Sequence, residues 1–443
     1  MRQSVLLRVV GGLLGMLGLL SAAAQTTPPA ARELSAKNLR QVVATLADDK
    51  LRGRALNTGA EAAAHYLAAE FKRAGLQPLP GQVDFEQKFP LYQSRSRQLT
   101  AELNGAVLPP AQAVLLPGAP EFSWSSTAAQ RPHVLRIGPD ATLRAYTDSV
   151  FKAKTDVLVL VHPKHAKWFN SLAAHYAHNY QYGLAPPAPV AVVLLLSADL
   201  TPTSYRASGR TEVTTLTARN VVGVLPGHDP ARAAEQIVFS SHYDHIGILK
   251  AVAGDSIANG ADDDASGTAA VVALANYYHK RHDNARPLVF AAFTAEEVGG
   301  FGSQYFARQL DAKQVTAMFN LEMLGTAAKF GPGTSFITGF DKSDFGPILQ
   351  RNLQGSPYRV EPDPYPEQNL FYRSDNATLA RLGVPAHTIS TAQIPTDKFY
   401  HSVDDEVESL DFNNLSAVVN AVALGARSIV AGQDTPTRIA PEK

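Results

Sequence analysis

The stretch VFSSHYDHIG (238–247), followed by NGADDDASGTAA (259–270) and PLVFAAFTAEE (287–297), decides how the rest of the chain is read. Two apolar runs of strand character, Ile237-Val238-Phe239 and Leu288-Val289-Phe290, each lead into side chains that bind metal well. His242 and Asp244 follow the first run, and Glu296 and Glu297 follow the second. Between them the aspartates Asp262, Asp263 and Asp264 open onto the small residues Ala265-Ser266-Gly267, a sequence suited to a helix start. In an open α/β sheet, ligands bind in the crevice beyond the carboxyl ends of the strands. The first expectation is therefore a metal-centred site at those ends.

Asp244 is close enough in sequence to His242 to bond the ring nitrogen that a metal leaves free, fixing its tautomer. A His-x-Asp after a strand also occurs in ordinary loops, so the pair gains weight only from its companions. Successive carboxylates at 262–264 repel one another, and a fold tolerates them when a cation or the N-terminus of the next helix offsets the charge. A solvated capping loop is the competing reading, and the apolar strand and small-residue helix on either side weigh against it. Adjacent Glu296 and Glu297 can divide labour, one carboxylate holding a metal while the other takes the proton from a bound water. Glu322 closes the apolar run 317–321, where a carboxylate is seldom buried without a partner. Tyr400-His401-Ser402, near Asp404 and Asp405, adds nitrogen and oxygen donors suited to zinc.

Outward from this centre the pattern alternates. Strands are expected near 220–224, 235–240, 287–294, 317–324, 335–338 and 386–390, with helices at 35–46, 58–74, 266–279, 344–353 and 412–429. This predicts an α/β fold: a mixed, mostly parallel sheet flanked by helices. From 87 to 215 the texture changes, with prolines such as Pro109-Pro110 and Pro186-Pro187 punctuating short strand candidates at 157–161 and 190–194. The expected organisation is one sheet domain from 25–86 and 216–431, a β-rich inserted domain at 87–215, and a flexible tail at 432–443.

At 443 residues the chain exceeds one average domain. Lys plus Arg and Asp plus Glu both total 40, so no global charge draws it to nucleic acid or to an anionic membrane. Arg2 and Arg8, an apolar run from 9 to 20, and Ala22-Ala23-Ala24 before Gln25 follow the order of a secretory signal peptide spanning 1–24. The run is shorter than the roughly 20 residues of a spanning helix, so no stable membrane anchor is expected after cleavage. With no cysteine, a disulfide framework and a lipid-anchored cysteine are both excluded. An exported, periplasmic or extracellular bacterial protein is the expectation.

The order HYDH (242–245), GADDDASG (260–267), FTAEEVGGFGS (293–303), NLEM (320–323) and YHS (400–402) resembles the M28 family of zinc-dependent peptidases, in particular its aminopeptidase Y and leucyl aminopeptidase members. The run 46–80, with LRGR and AGLQPL, is similar to the opening segment of that family. The resemblance implies two zinc ions per chain, His242 and Glu322 on one, Glu297 and His401 on the other, with Asp263 bridging. It also implies Glu296 as general base and acid, Asp244 orienting His242, and Tyr400 polarising the scissile carbonyl. Where Glu322 stands the family often has Asp, one methylene shorter. The implied substrate is a peptide with a free N-terminus, and the insert occupies the place of a protease-associated domain. Within the same resemblance, a single-zinc glutaminyl cyclase and a carboxypeptidase-like enzyme are the alternatives. Arg373 is the candidate partner for a substrate carboxylate in the latter.

Overall fold

The computed structural model describes residues 32–440, so the expected leader at 1–24 lies outside the described residues. The strand Gln236–His242 is buried along nearly its whole length. A strand covered on both faces needs apolar side chains at successive rather than alternate positions, which Ile237-Val238-Phe239 provides. Its neighbours Leu288–Phe293 and Val315–Glu322 both run parallel to it, and Ala386–Ser390 runs parallel to the latter. Phe239 stacks between Phe290 and Phe319, with ring centroids 5.6 and 4.9 Å away. Tyr278, from the helix Gly267–Arg281, closes against it at 5.5 Å. Because these strands share one direction, His242, Glu296, Glu297 and Glu322 emerge at one edge of the sheet.

Among the described residues this sheet has twelve strands, parallel at its centre and antiparallel at its flanks. The helices Ala36–Leu46, Ala60–Arg73, Gly267–Arg281 and Phe412–Gly425 bury one face in a single large apolar cluster. The shorter helices Phe301–Arg308 and Asn376–Ala380 cover the other. The mixed α/β sheet expected from the alternating pattern is the one observed.

The region 87–215 holds a second sheet, ordered Ala113–Leu116, Val192–Leu196, Val157–Val161, His133–Ile137, with apolar clusters of its own. Two long strands, Glu86–Leu103 and Tyr205–Leu225, pair antiparallel along their length and run through both expected limits. Their outer parts carry the second sheet, while residues 221–225 pair with Leu288–Phe293 in the first. The helix Ala166–His178, which the Pro-punctuated sequence did not announce, buries Phe169 against the second sheet.

The stretch after Ala431, expected to be loose, is held in place through residue 440. Arg286 is fully buried and needs acceptors, and the carbonyl oxygens of Ile429 and Asp434 and Thr435 Oγ1 supply them. Ile439 is buried as well.

The antiparallel register gives a direct test of whether the inserted region is dispensable to the site. Tyr92 and Thr215 are ladder partners, so a two-residue Asn-Gly turn can replace 93–214 without altering the strands that remain. The shortened protein is expected to bind divalent metal as the full chain does, measured by elemental analysis after dialysis. A soluble, folded product that binds no metal would show that the insert contributes to the site.

Candidate metal centre

Each expected side chain reaches the crevice from the end of a strand or from a turn beyond it. Ala295, Met323 and His401 adopt positive φ angles of 58°, 51° and 55°. Residues with a Cβ seldom adopt this conformation, and it persists where the surroundings over-determine it. These residues precede Glu296, follow Glu322 and are His401 itself, so the unusual backbone lies where the strand ends turn towards the site.

The three aspartates separate in role. Asp262 Oδ1 accepts from the Gly325 amide at 2.7 Å, and Asp264 Oδ1 accepts from the amides of Met323 at 3.0 Å and Gly267 at 3.1 Å. Both flanking carboxylates thus tie the loop to the turn after Glu322. Asp263 alone faces the crevice, its Oδ1 3.2 Å from His242 Nε2 and its Oδ2 3.3 Å from His401 Nε2. Glu297 Oε2 lies 3.0 Å from His401 Nε2. The triplet is held from below by Asp405, which accepts from the amides of Asp262 and Asp263 at 2.8 and 3.0 Å.

His242 Nδ1 donates to the main-chain oxygen of Asp244 at 3.2 Å, while the Asp244 carboxylate is 3.9 Å from the same nitrogen. That carboxylate instead accepts from the Glu296 amide at 3.1 Å. With Nδ1 committed to that carbonyl, Nε2 is the ring nitrogen turned towards Asp263. Glu322 accepts from Ser374 Oγ and, at 3.3 Å, from Asn320 Nδ2. Tyr400 stacks on His401 with centroids 3.9 Å apart and lines a cleft together with Glu322 and Arg373. Arg373 makes no ion pair with Asp375, so its guanidinium is not committed to that neighbour.

Sequence reasoning missed His245, the last residue of HYDH. Its side chain is buried, and Nδ1 lies 2.7 Å from Glu297 Oε1. It therefore fixes one oxygen of Glu297 while His401 approaches the other. A second histidine three residues after the first was the available signal.

The electrostatics are those of crowded, buried acids. Burial pushes Asp244 and Glu322 up to about 7. Burial, reinforced by the charges of Glu322, Asp375 and Glu297, holds Glu296 well above the usual carboxylate range. Burial opposes charge on His401, but hydrogen bonds to Asp263 and Glu297 outweigh it and raise the ring to about 10. Burial likewise works against charge on His242, and its hydrogen bond to Asp263 with the charges of Glu296 and Asp264 overcomes this.

These residues fit a divalent cation. Donor atoms of His242, Asp263 and Glu297 lie within 4.8 Å of one another, and Asp264 Oδ2 is buried without a hydrogen-bond partner. Nitrogen with carboxylate oxygen is a donor set that zinc accepts. A larger cavity of about 560 Å³ near Leu79, Glu86 and Tyr305 contains none of these side chains.

Residues 220–425 match the sequence model of peptidase family M28. A probable leucine aminopeptidase of Trichophyton verrucosum is 26% identical over 44% of this chain and 53% of its own length. Leucine aminopeptidase 1 of Penicillium rubens is 29% identical over 42% and 50%. The chain thus spans about half the length of the curated relatives it matches. In fold it is similar to an aminopeptidase from Aneurinibacillus sp. strain AM-1, with TM-score 0.53 and 20% identity over 93% of this chain and 97% of that one. It is also similar to a zinc aminopeptidase from Bacillus subtilis, with TM-score 0.53 and 17% identity over 90% and 95%.

Replacing His245 with Phe keeps an aromatic of similar bulk but frees Glu297 Oε1. Metal affinity is expected to fall roughly 10- to 100-fold, the usual effect of losing a group that orients a ligand. Competitive titration with a chromophoric chelator measures it, and unchanged affinity would remove His245 from the site.

Proposed function

We propose that this chain, whose residues 220–425 match the sequence model of peptidase family M28, is a zinc-dependent aminopeptidase of that family, hydrolysing the N-terminal bond of peptides. The observation that carries this reading is Asp263 standing between His242 and His401, with Glu297 on His401. In this reading His242, Glu322, Glu297, His401 and Asp263 are the side chains that would hold two zinc ions. Bound zinc supplies Lewis acidity, which lowers the pKa of water towards about 7 and polarises a carbonyl.

The chain's own groups move the protons and orient the substrate. Glu296, made more basic by burial and acidic neighbours, takes a proton from the attacking water and returns it to the leaving amine. Asp244 steadies Glu296 through its backbone amide at 3.1 Å. Tyr400, braced on the His401 ring, offers a hydroxyl to the developing oxyanion. The acidic lining attracts a cationic α-amine and repels a free carboxylate, which favours the N-terminal end of a peptide. The leader read at 1–24 makes this an enzyme of the periplasm or extracellular space.

Glu296→Gln is expected to lower turnover roughly 100- to 10,000-fold, the range for a general base, while retaining zinc. Glu297→Gln is expected to lose zinc as well. Metal content after dialysis separates the two, and the reverse pattern would exchange their roles.

A leucyl anilide should be cleaved and its N-acetyl analogue left intact, because acetylation removes the charge that the acidic lining recognises. Comparable hydrolysis of both would contradict an aminopeptidase. Cyclisation of an N-terminal glutamine without hydrolysis would transfer the assignment to the glutaminyl cyclase alternative.

A further inference from the structure

Building on the zinc-peptidase reading, we propose that Arg54 is a positioning residue whose guanidinium locks together the loops carrying His242 and Asp263 and so sets the geometry in which they take a cation. Arg54 ends the LRGR run 51–54, nearly two hundred residues before the first ligand, and its side chain is 0% exposed. Its Nε donates to the Tyr243 carbonyl at 2.6 Å. Nη1 donates to Leu46 at 2.8 Å and to Asn259, and Nη2 donates to Gly260 at 2.8 Å and Asp263 at 3.4 Å. A guanidinium has five N–H donors in a rigid fork, and each of them meets a main-chain carbonyl. Tyr243 follows His242, and one acceptor belongs to Asp263 itself. A lysine, with three donors on a flexible stem, cannot reproduce the arrangement.

The backbone supplies a second, independent observation. Arg52, Gly53 and Arg54 have φ of 49°, 63° and 48°, three successive residues in a region that side chains with a Cβ disfavour. A Cβ on Gly53 would stand 2.4 Å from the Ala258 oxygen and 2.8 Å from Gly247. The turn is therefore pressed against the hairpin of Gly247–Val252 and Asp255–Ala258, which joins the loops of His242 and Asp263. Such a conformation survives only where the surrounding structure over-determines it.

The charge is placed to help without competing. Asp405, Asp263, Asp244 and Asp264 all act on the guanidinium electrostatically, yet its donors go to carbonyl groups. It offsets the acidic cluster, and its contact with Asp263 is to the main-chain oxygen and not to the carboxylate.

The test compares zinc affinity, by competitive titration, in the wild-type chain, in Arg54→Gly and in Arg54→Gly with guanidinium chloride at a concentration below denaturing. Glycine suits the φ at position 54 and opens a space of guanidinium size. Arg54→Gly is expected to keep its circular dichroism and lose zinc affinity roughly 10- to 100-fold, and added guanidinium is expected to restore it. Unchanged affinity in the folded variant overturns the proposal. So does guanidinium that raises the melting temperature without restoring affinity, because the role is then purely structural. If Arg54→Gly does not fold, Arg54→Lys decides: zinc affinity lowered by a similar factor supports the proposal, and wild-type affinity overturns it. A wild-type chain that binds no zinc would instead defeat the zinc reading, which is a separate outcome.

Discussion

Burial of negative charge at one edge of the sheet is the constraint on which this structure depends. Asp244, Asp262, Asp263, Asp264, Asp375 and Asp405 are all buried, and Glu296, Glu297 and Glu322 lie among them. An uncompensated ion in a protein interior costs several kcal/mol, so this density of carboxylates persists only with partners. The fold provides some of them: amides of the turn after Glu322, amides offered to Asp405, the rings of His242, His245 and His401, and the Arg54 guanidinium. A cation held at Asp263, between His242 and His401, would complete the balance.

The sheet makes that crowding possible. Stacked Phe239, Phe290 and Phe319 hold the parallel strands in a fixed register, and their shared direction delivers His242, Glu296 and Glu322 to one crevice. The antiparallel ribbon on the flank attaches a second sheet and carries none of the proposed metal-binding side chains. Stability and chemistry therefore make different demands on the same strands: apolar side chains through the middle, and charged ones in the last residue or just beyond it.

Much of this was legible in the sequence because each strand that carries a ligand is an apolar run ending in a charged donor. The core strand 157–161 was equally plain, since an uninterrupted run of Val and Leu suits a strand buried on both faces. The ribbon Glu86–Leu103 was not legible: partly exposed and rich in Ser, Arg and Gln, it has neither a continuous apolar run nor clean alternation. The order of the tail was hidden for another reason, because it depends on Arg286, distant in sequence and marked by no local pattern. Within the site, Glu296 and Glu297 stood out as a pair, but the separate roles of the three aspartates rest on turns that only the folded chain brings together. Arg54 was quoted as part of a resemblance, and its reach to five carbonyl groups could not be read from LRGR. The orienting contact to His242 comes from the Asp244 main chain, a donor-acceptor choice to which side-chain spacing is blind.

The central claim is that Asp263 organises a metal centre between His242 and His401. Anomalous diffraction at the zinc absorption edge, from crystals grown with zinc, tests it most directly. The account predicts two peaks flanking the Asp263 carboxylate, one beside His242 and Glu322 and the other beside Glu297 and His401. Peaks confined to other parts of the surface, with none at Asp263, would contradict it.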